Sequence, residues 1–180
     1  MEIIKTAIPD LLIIQPKVFE DDRGYFFESY SKKVFTENGI NAEFVQDNQS
    51  LSHSGVLRGL HFQNPPFAQG KLVRTIKGAI LDVAVDIRRN SSTYGQHLSI
   101  ELTEANKTML WIPEGFAHGF LTLADHTIFS YKCTNVYNKA SEGSIYWNDP
   151  DLKIDWKIKD PVLSEKDKIV NSFREYWSQF

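Results

Sequence analysis

The segment Gly55-Val56-Leu57-Arg58-Gly59-Leu60-His61-Phe62-Gln63 sets one histidine and one arginine in a mostly apolar stretch, and Lys71 follows eight residues after Gln63. A neutral imidazole is a good general base near pH 7, because its unperturbed pKa lies close by. Two fixed cations beside such a base suit an anionic substrate that carries an acidic C–H. Lys71 could hold the oxygen of a developing enolate, the usual way to make a C–H next to a ketone acidic enough to lose. Each residue also has a plainer alternative. His61 could be a hydrogen-bonded histidine in a barrel wall, and Lys71 a solvated lysine at a strand end.

Three more residues carry the same ambiguity. Tyr131 shares a strand face with Phe129 and Cys133, and its phenol is either a proton donor to a carbanion or a core hydroxyl with a backbone partner. Asp167 closes Ser164-Glu165-Lys166-Asp167, a helix-capping pattern, yet it could instead orient His61. His118, among aromatics, Pro113 and Gly115, is either a ligand-binding group or a turn residue. A metal-binding β-barrel of this kind often uses two histidines at i and i+2. Here the second position is Gln63, and His53, His97 and His126 fall at no ligand spacing, so no catalytic metal is expected. There is no Gly-x-Gly-x-x-Gly and no P-loop.

The elements that must position these residues read as short strands broken by Gly, Pro and Asn. They are Leu11–Pro16, Tyr25–Tyr30, Val56–Gln63, Lys71–Ile76, Ala79–Ile87, His97–Leu102, Met109–Ile112, Gly119–Leu123 and Thr127–Thr134. Such spacing predicts a β-sandwich or double-sheet barrel. A short helix is expected over Ser31–Asn38, with Ser31 as N-cap and Gly39 just past its end. Ile169, Val170, Phe173, Tyr176 and Trp177 recur at helical spacing and predict a C-terminal helix packed on the barrel. On Ala79–Asp86, alternation puts Leu81, Val83 and Val85 on one face and Ile80, Asp82, Ala84 and Asp86 on the other. In a regular strand His61 and Arg58 point apart; both reach one site only if Arg58 sits at a bend or at the strand end, which Gly55 and Gly59 make possible.

The 180 residues are read as one domain, 1–180, without repeats or linkers. A net charge of -3 argues against general binding to nucleic acid or a membrane surface, so any anion site must be a local cationic pocket. The single cysteine, Cys133, excludes an internal disulfide and a multi-cysteine metal site. Met1-Glu2-Ile3-Ile4-Lys5 does not resemble a signal peptide, no apolar run is long enough to span a bilayer, and a cytoplasmic location is expected.

Taken in order, these segments resemble the dTDP-4-dehydrorhamnose 3,5-epimerase family, which has a cupin-type jelly-roll fold. The resemblance runs nearly end to end. It is carried by Pro16–Tyr30, Phe44–Asn48, Arg58–Gln63, Gln69–Arg74, Trp111–Phe120, Tyr131–Asn135, Glu142–Asp149 and Leu163–Asp167. It implies abstraction and return of protons at C3 and C5 of a dTDP-4-dehydro-6-deoxy-glucose, with no cofactor. By position His61 resembles the family's base, Asp167 its partner, Lys71 the residue near the C4 oxygen and Tyr131 the acid. Arg23, Glu28, Gln46, Asp47, Asn48, Arg58, His118, Glu142 and Lys166 match substrate-binding positions, and Tyr137 the residue stacked on thymine. The resemblance also implies a homodimer in which the partner's N-terminal region completes the nucleotide site. A relative acting at C3 or C5 alone, a ketoisomerase, or a non-catalytic sugar-nucleotide-binding barrel are the alternatives.

Overall fold

The computed structural model describes residues 1–180. Its strands are β1 (Glu2–Lys5), β2 (Leu12–Gln15), β3 (Phe19–Asp21), β4 (Gly24–Phe26), β5 (Gln46–Ser52), β6 (Leu57–Gln63), β7 (Lys71–Lys77), β8 (Ala79–Asp86), β9 (His97–Thr103), β10 (Met109–Ile112), β11 (Phe116–Thr122), β12 (Thr127–Cys133) and β13 (Glu142–Ser144). Helices are few and short: α1 (Lys32–Glu37) and α2 (Glu165–Lys168), with single 3-10 turns at Lys139–Ser141 and Phe173–Glu175. One sheet runs β1-β2-β10-β7-β12-β5, the other β13-β6-β11-β8-β9, and β3-β4 forms a separate hairpin. This is the double-sheet barrel that the strand spacing predicts and the jelly roll that the family resemblance implies.

The alternation on β8 explains how the layers form. Ile80 and Ala84 join Val73, Leu110, Phe120 and Phe129 in the core between the sheets. Leu81, Val83 and Val85 face the other way, against Ile145, Trp147, Leu152, Ile154 and Trp156. β8 is therefore buried on both faces, and its near-continuous apolar sequence follows from that. A third cluster, with Phe35 of α1, Ile40, Leu72, Met109 and Trp111, covers the outside of the six-stranded sheet. Each fully buried large side chain of this kind stabilises the fold by about 1.5–3 kcal/mol.

Two expectations change. No helix spans Ile169–Trp177. Residue Asn171 instead pairs in extended form with Ile145, and its carbonyl accepts from the Tyr146 N–H at 2.9 Å. Phe173, Tyr176 and Phe180 pack on the five-stranded sheet while Ile169 is 86% and Trp177 69% exposed. An irregular strap that touches the core every few residues mimics helical spacing over so short a stretch. Around Tyr25 only Gly24–Phe26 is a strand; it pairs with β3 alone, and every residue of that hairpin is exposed. α1 forms as expected, although Ser31 makes no side-chain cap bond.

Candidate active site

A cavity of about 450 Å³ opens between the two sheets. β6 contributes Arg58 and His61 to its wall, β7 Lys71, β11 His118 and β12 Tyr131. His61 and Arg58 share the cavity because the strand does bend. In the β6–β11 pairing His118 lies opposite His61 and Phe120 opposite Arg58, so three steps along one strand match two along the other. The extra residue inverts the facing of every side chain beyond it. Gly59 makes this bulge feasible: its φ is +127°, and a Cβ there would lie 2.5 Å from the Gly119 Cα.

Asp167 reaches His61 from α2. The chain before the helix runs beside the start of β6, where the Leu57 N–H donates to the Val162 carbonyl at 3.0 Å and the Val162 N–H to that of Gly55 at 2.8 Å. Ser164 then caps α2, and Asp167, 2% exposed, brings Oδ1 within 2.5 Å of His61 Nε2. Burial pushes the Asp167 carboxyl up, but hydrogen bonds from His61 and Ser164 outweigh it and hold the group below the ordinary carboxylate range. An ionised carboxylate only accepts, so Nε2 carries the ring proton. Nδ1 is left with its lone pair and no hydrogen bond within the chain.

The cations around this pair have few partners. Arg58 donates only to the Ser52 hydroxyl, at 3.2 and 3.3 Å, and pairs with no carboxylate. Lys71 is 9% exposed, and its ammonium has one long contact, 3.5 Å to the His61 carbonyl. Burial pushes its pKa down, while Cys133, Asp82 and Glu142 act in the opposite direction. Burial pushes the Tyr131 phenol up, so it keeps its proton at neutral pH. His118 Nε2 lies 2.9 Å from Oδ2 of the fully buried Asp82, whose Oδ1 has no partner. Burial lowers the His118 pKa against the pull of that carboxylate. At the rim Lys166 pairs with Glu142, and the Tyr137 hydroxyl donates to Glu142 at 3.3 Å. Gln63, at the position a metal-binding barrel would give to histidine, spends its amide on backbone groups: Phe67 O at 2.6 Å, Val136 O at 3.1 Å and Asn138 N at 2.7 Å.

The pattern of the dTDP-4-dehydrorhamnose 3,5-epimerase family matches residues 5–175. The chain belongs to that family. It is 57% identical over 169 residues to dTDP-4-dehydrorhamnose 3,5-epimerase of Salmonella typhimurium, covering 93% of this chain and 92% of that one. Among solved structures, the enzyme of the same name from Elizabethkingia anophelis superposes with a TM-score of 0.94 at 52% identity, over 97% of each chain. The dTDP-6-deoxy-D-glucose-3,5-epimerase of Legionella pneumophila, solved with dTDP-4-keto-L-rhamnose, gives 0.93 at 48% identity, over 97% of this chain and 93% of that one.

Of the residues singled out by sequence in this epimerase-family chain, the cavity gathers His61, Tyr131, Asp167, Lys71, Asn48, Arg58, His118, Tyr137, Glu142 and Lys166. Four lie outside it. Gln46 stands behind the rim, with Oε1 accepting from the Tyr137 N–H at 3.0 Å and Nε2 donating to Asn48 at 3.2 Å. Asp47 faces outward and pairs with Lys132 at 3.0 Å. Arg23, on the exposed β3–β4 hairpin, pairs with Asp21, and Glu28 is exposed beyond it. Asp82 stands behind the cavity as the partner of His118; from sequence, an acid on that mostly apolar strand reads as either a mouth residue or the buried partner of a cation. Ser164, Gln49, Ser50 and Gln69 line the cavity without being singled out for it by sequence.

Proposed function

We propose that the chain epimerises dTDP-4-dehydro-6-deoxy-D-glucose at C3 and C5, giving dTDP-4-dehydro-L-rhamnose, without a cofactor. The observation that carries this reading is the His61–Asp167 pair and Tyr131 facing one cavity from opposite sheets, with two cations free of carboxylate partners beside them. His61 Nδ1 takes the proton next to the C4 ketone, and Asp167 stabilises the imidazolium. Lys71 stabilises the enolate oxygen. Tyr131 returns a proton to the opposite face, which inverts the carbon. Arg58, His118, Asn48, Glu142 and Lys166 hold the substrate, and Tyr137, 56% exposed at the rim, stacks on the thymine.

The working unit in this reading is a homodimer. The β3–β4 hairpin carries Phe19, Tyr25 and Phe26, which are 54%, 57% and 70% exposed, together with Arg23. Such an exposed apolar arm, hydrogen-bonded into neither of the two main sheets, suits the partner's surface. There it would bring Arg23 and Glu28 to the partner's cavity, with Gln46 and Asp47 at the receiving rim. We place the enzyme in the cytoplasm, in keeping with its single, unpaired cysteine; no helix is long and apolar enough to cross a membrane.

Proton NMR of the substrate with the enzyme in D2O tests the reaction. Loss of hydrogen at both C3 and C5, with appearance of the L-lyxo ketosugar, is expected. Loss at one carbon identifies a single-position epimerase instead, and tight binding without exchange overturns the catalytic reading.

A further inference from the structure

We propose that Ser164 is a positioning residue of the acid–base pair: by donating its hydroxyl to the outer oxygen of Asp167, it sets how tightly His61 and Asp167 hold their shared proton. The inference rests on the epimerase reading above. Ser164 Oγ lies 2.8 Å from Asp167 Oδ2, while the Asp167 N–H donates back to Oγ at 3.2 Å. An N-cap serine needs only to accept. The donated bond to a side chain is a second use of the same hydroxyl.

The carboxylate has two protein donors, His61 on Oδ1 and Ser164 on Oδ2. Its side chain is 3% exposed, so water has little room to replace the serine. A donor on Oδ2 draws negative charge away from Oδ1. That weakens the pull of the carboxylate on the imidazolium, and the pair gives up its proton at lower pH than it otherwise would. The base is thus neutral over a wider range. The other charged or titratable groups lining this cavity are Arg58, Lys71, His118, Tyr131, Tyr137, Glu142 and Lys166. Removal of the Ser164 hydroxyl leaves all seven in place.

Ser164→Gly separates the two uses, because glycine is nearly as good a cap residue as serine but has no hydroxyl. The test follows deuterium wash-in at C3 and C5 against pH in the full chain, for wild type, Ser164→Gly and Ser164→Thr. The His61 ring is titrated by NMR in parallel. In Ser164→Gly the acid limb moves to higher pH, with rates on that limb lower by about three- to tenfold. The ring titration moves the same way, and Ser164→Thr restores both. Coincident limbs and ring titrations for Ser164→Gly and wild type, with only a change in melting temperature, would overturn the proposal. If wild type exchanges neither hydrogen, the epimerase reading fails, and the ring titration still decides the role of Ser164.

Discussion

Replacing Asp167 by asparagine changes one charge and almost no volume, and its effect can be worked from the site. The carboxylate, 2.5 Å from His61 Nε2, fixes the proton there and leaves Nδ1 free for the proposed role of base. Hydrogen bonds to charged groups contribute about 1.5–3 kcal/mol, and each ~1.4 kcal/mol of barrier is tenfold in rate. Loss of imidazolium stabilisation alone therefore slows proton abstraction by about 10- to 150-fold. The carboxamide adds a second penalty. If it turns its NH2 toward Nε2, the ring proton moves to Nδ1 and the base is blocked; the equivalent change in a Ser-His-Asp triad costs about 10⁴. We expect Asp167→Asn to slow deuterium wash-in by about 10²- to 10⁴-fold. Affinity for dTDP, measured by calorimetry, should stay within about threefold, because only the reacting centre loses stabilisation. Wash-in slowed less than about fivefold, in a variant whose circular dichroism and melting match wild type, would refute the dyad.

Tyr131→Phe removes the proposed acid and keeps the ring, so inversion should slow far more than proton loss; normal formation of the inverted product would transfer the role to another donor. Gly59→Ala combines a left-handed φ with a Cβ 2.5 Å from Gly119 Cα. It should cost about 2–4 kcal/mol, read as a fall of roughly 5–15 °C in melting temperature, with loss of activity as Arg58 and His61 are driven apart. Asp86, fully buried, accepts from Arg88, Ser91 and Thr93 at 2.6–3.0 Å. Burial raises its pKa, but these bonds outweigh it and hold the carboxyl below the ordinary range. Its stabilisation is therefore present above about pH 4 and lost as pH falls through the lowered value. Asp86→Asn should cost about 3–5 kcal/mol at neutral pH and flatten the acid limb of the stability curve, measured by denaturant unfolding from pH 3 to 7.

Much of the framework was legible because strands declare themselves one at a time. Met109–Ile112 needed only its own apolar run, and the two faces of Ala79–Asp86 separated as alternation requires. β5 was missed because its inward positions, Gln46, Asn48, Ser50 and Ser52, are all polar and its one apolar residue, Leu51, faces outward. The terminal helix was misread because apolar spacing alone cannot tell a helix from a strap that Asn171 holds extended against Ile145. At the site, residue types suggested a base, cations and an acid. Their assembly depends on relations that local sequence does not encode. Asp167 lies 106 residues from His61, and one bulge decides whether Arg58 faces the cavity or the opposite side. The residues alone leave Asp167 between a helix cap and a partner of His61, and only the resemblance to the epimerase family chooses the pairing. Arg23 and Glu28 enter the proposed site through the resemblance alone, for within this chain they lie outside the cavity.

The jelly roll also accounts for the stereochemistry that the proposed reaction demands. Inversion requires a proton to leave one face of a carbon and return to the other. A base and an acid on adjacent strands of one sheet would stand on the same side of a bound ring. Here His61 belongs to the five-stranded sheet and Tyr131 to the six-stranded sheet, so the cavity between them has the base on one wall and the acid on the other. Lys71 pairs in register with Cys133, two residues beyond Tyr131, so the cation enters from the wall of the acid. A ketone oxygen between the walls can then take a charged donor while both neighbouring carbons stay open to His61. Nothing in this arrangement distinguishes C3 from C5, since one base and one acid act on whichever carbon the ring presents. The choice between one inversion and two therefore lies in how the sugar moves within the cavity, and exchange at each carbon, rather than mutation of the pair, measures it.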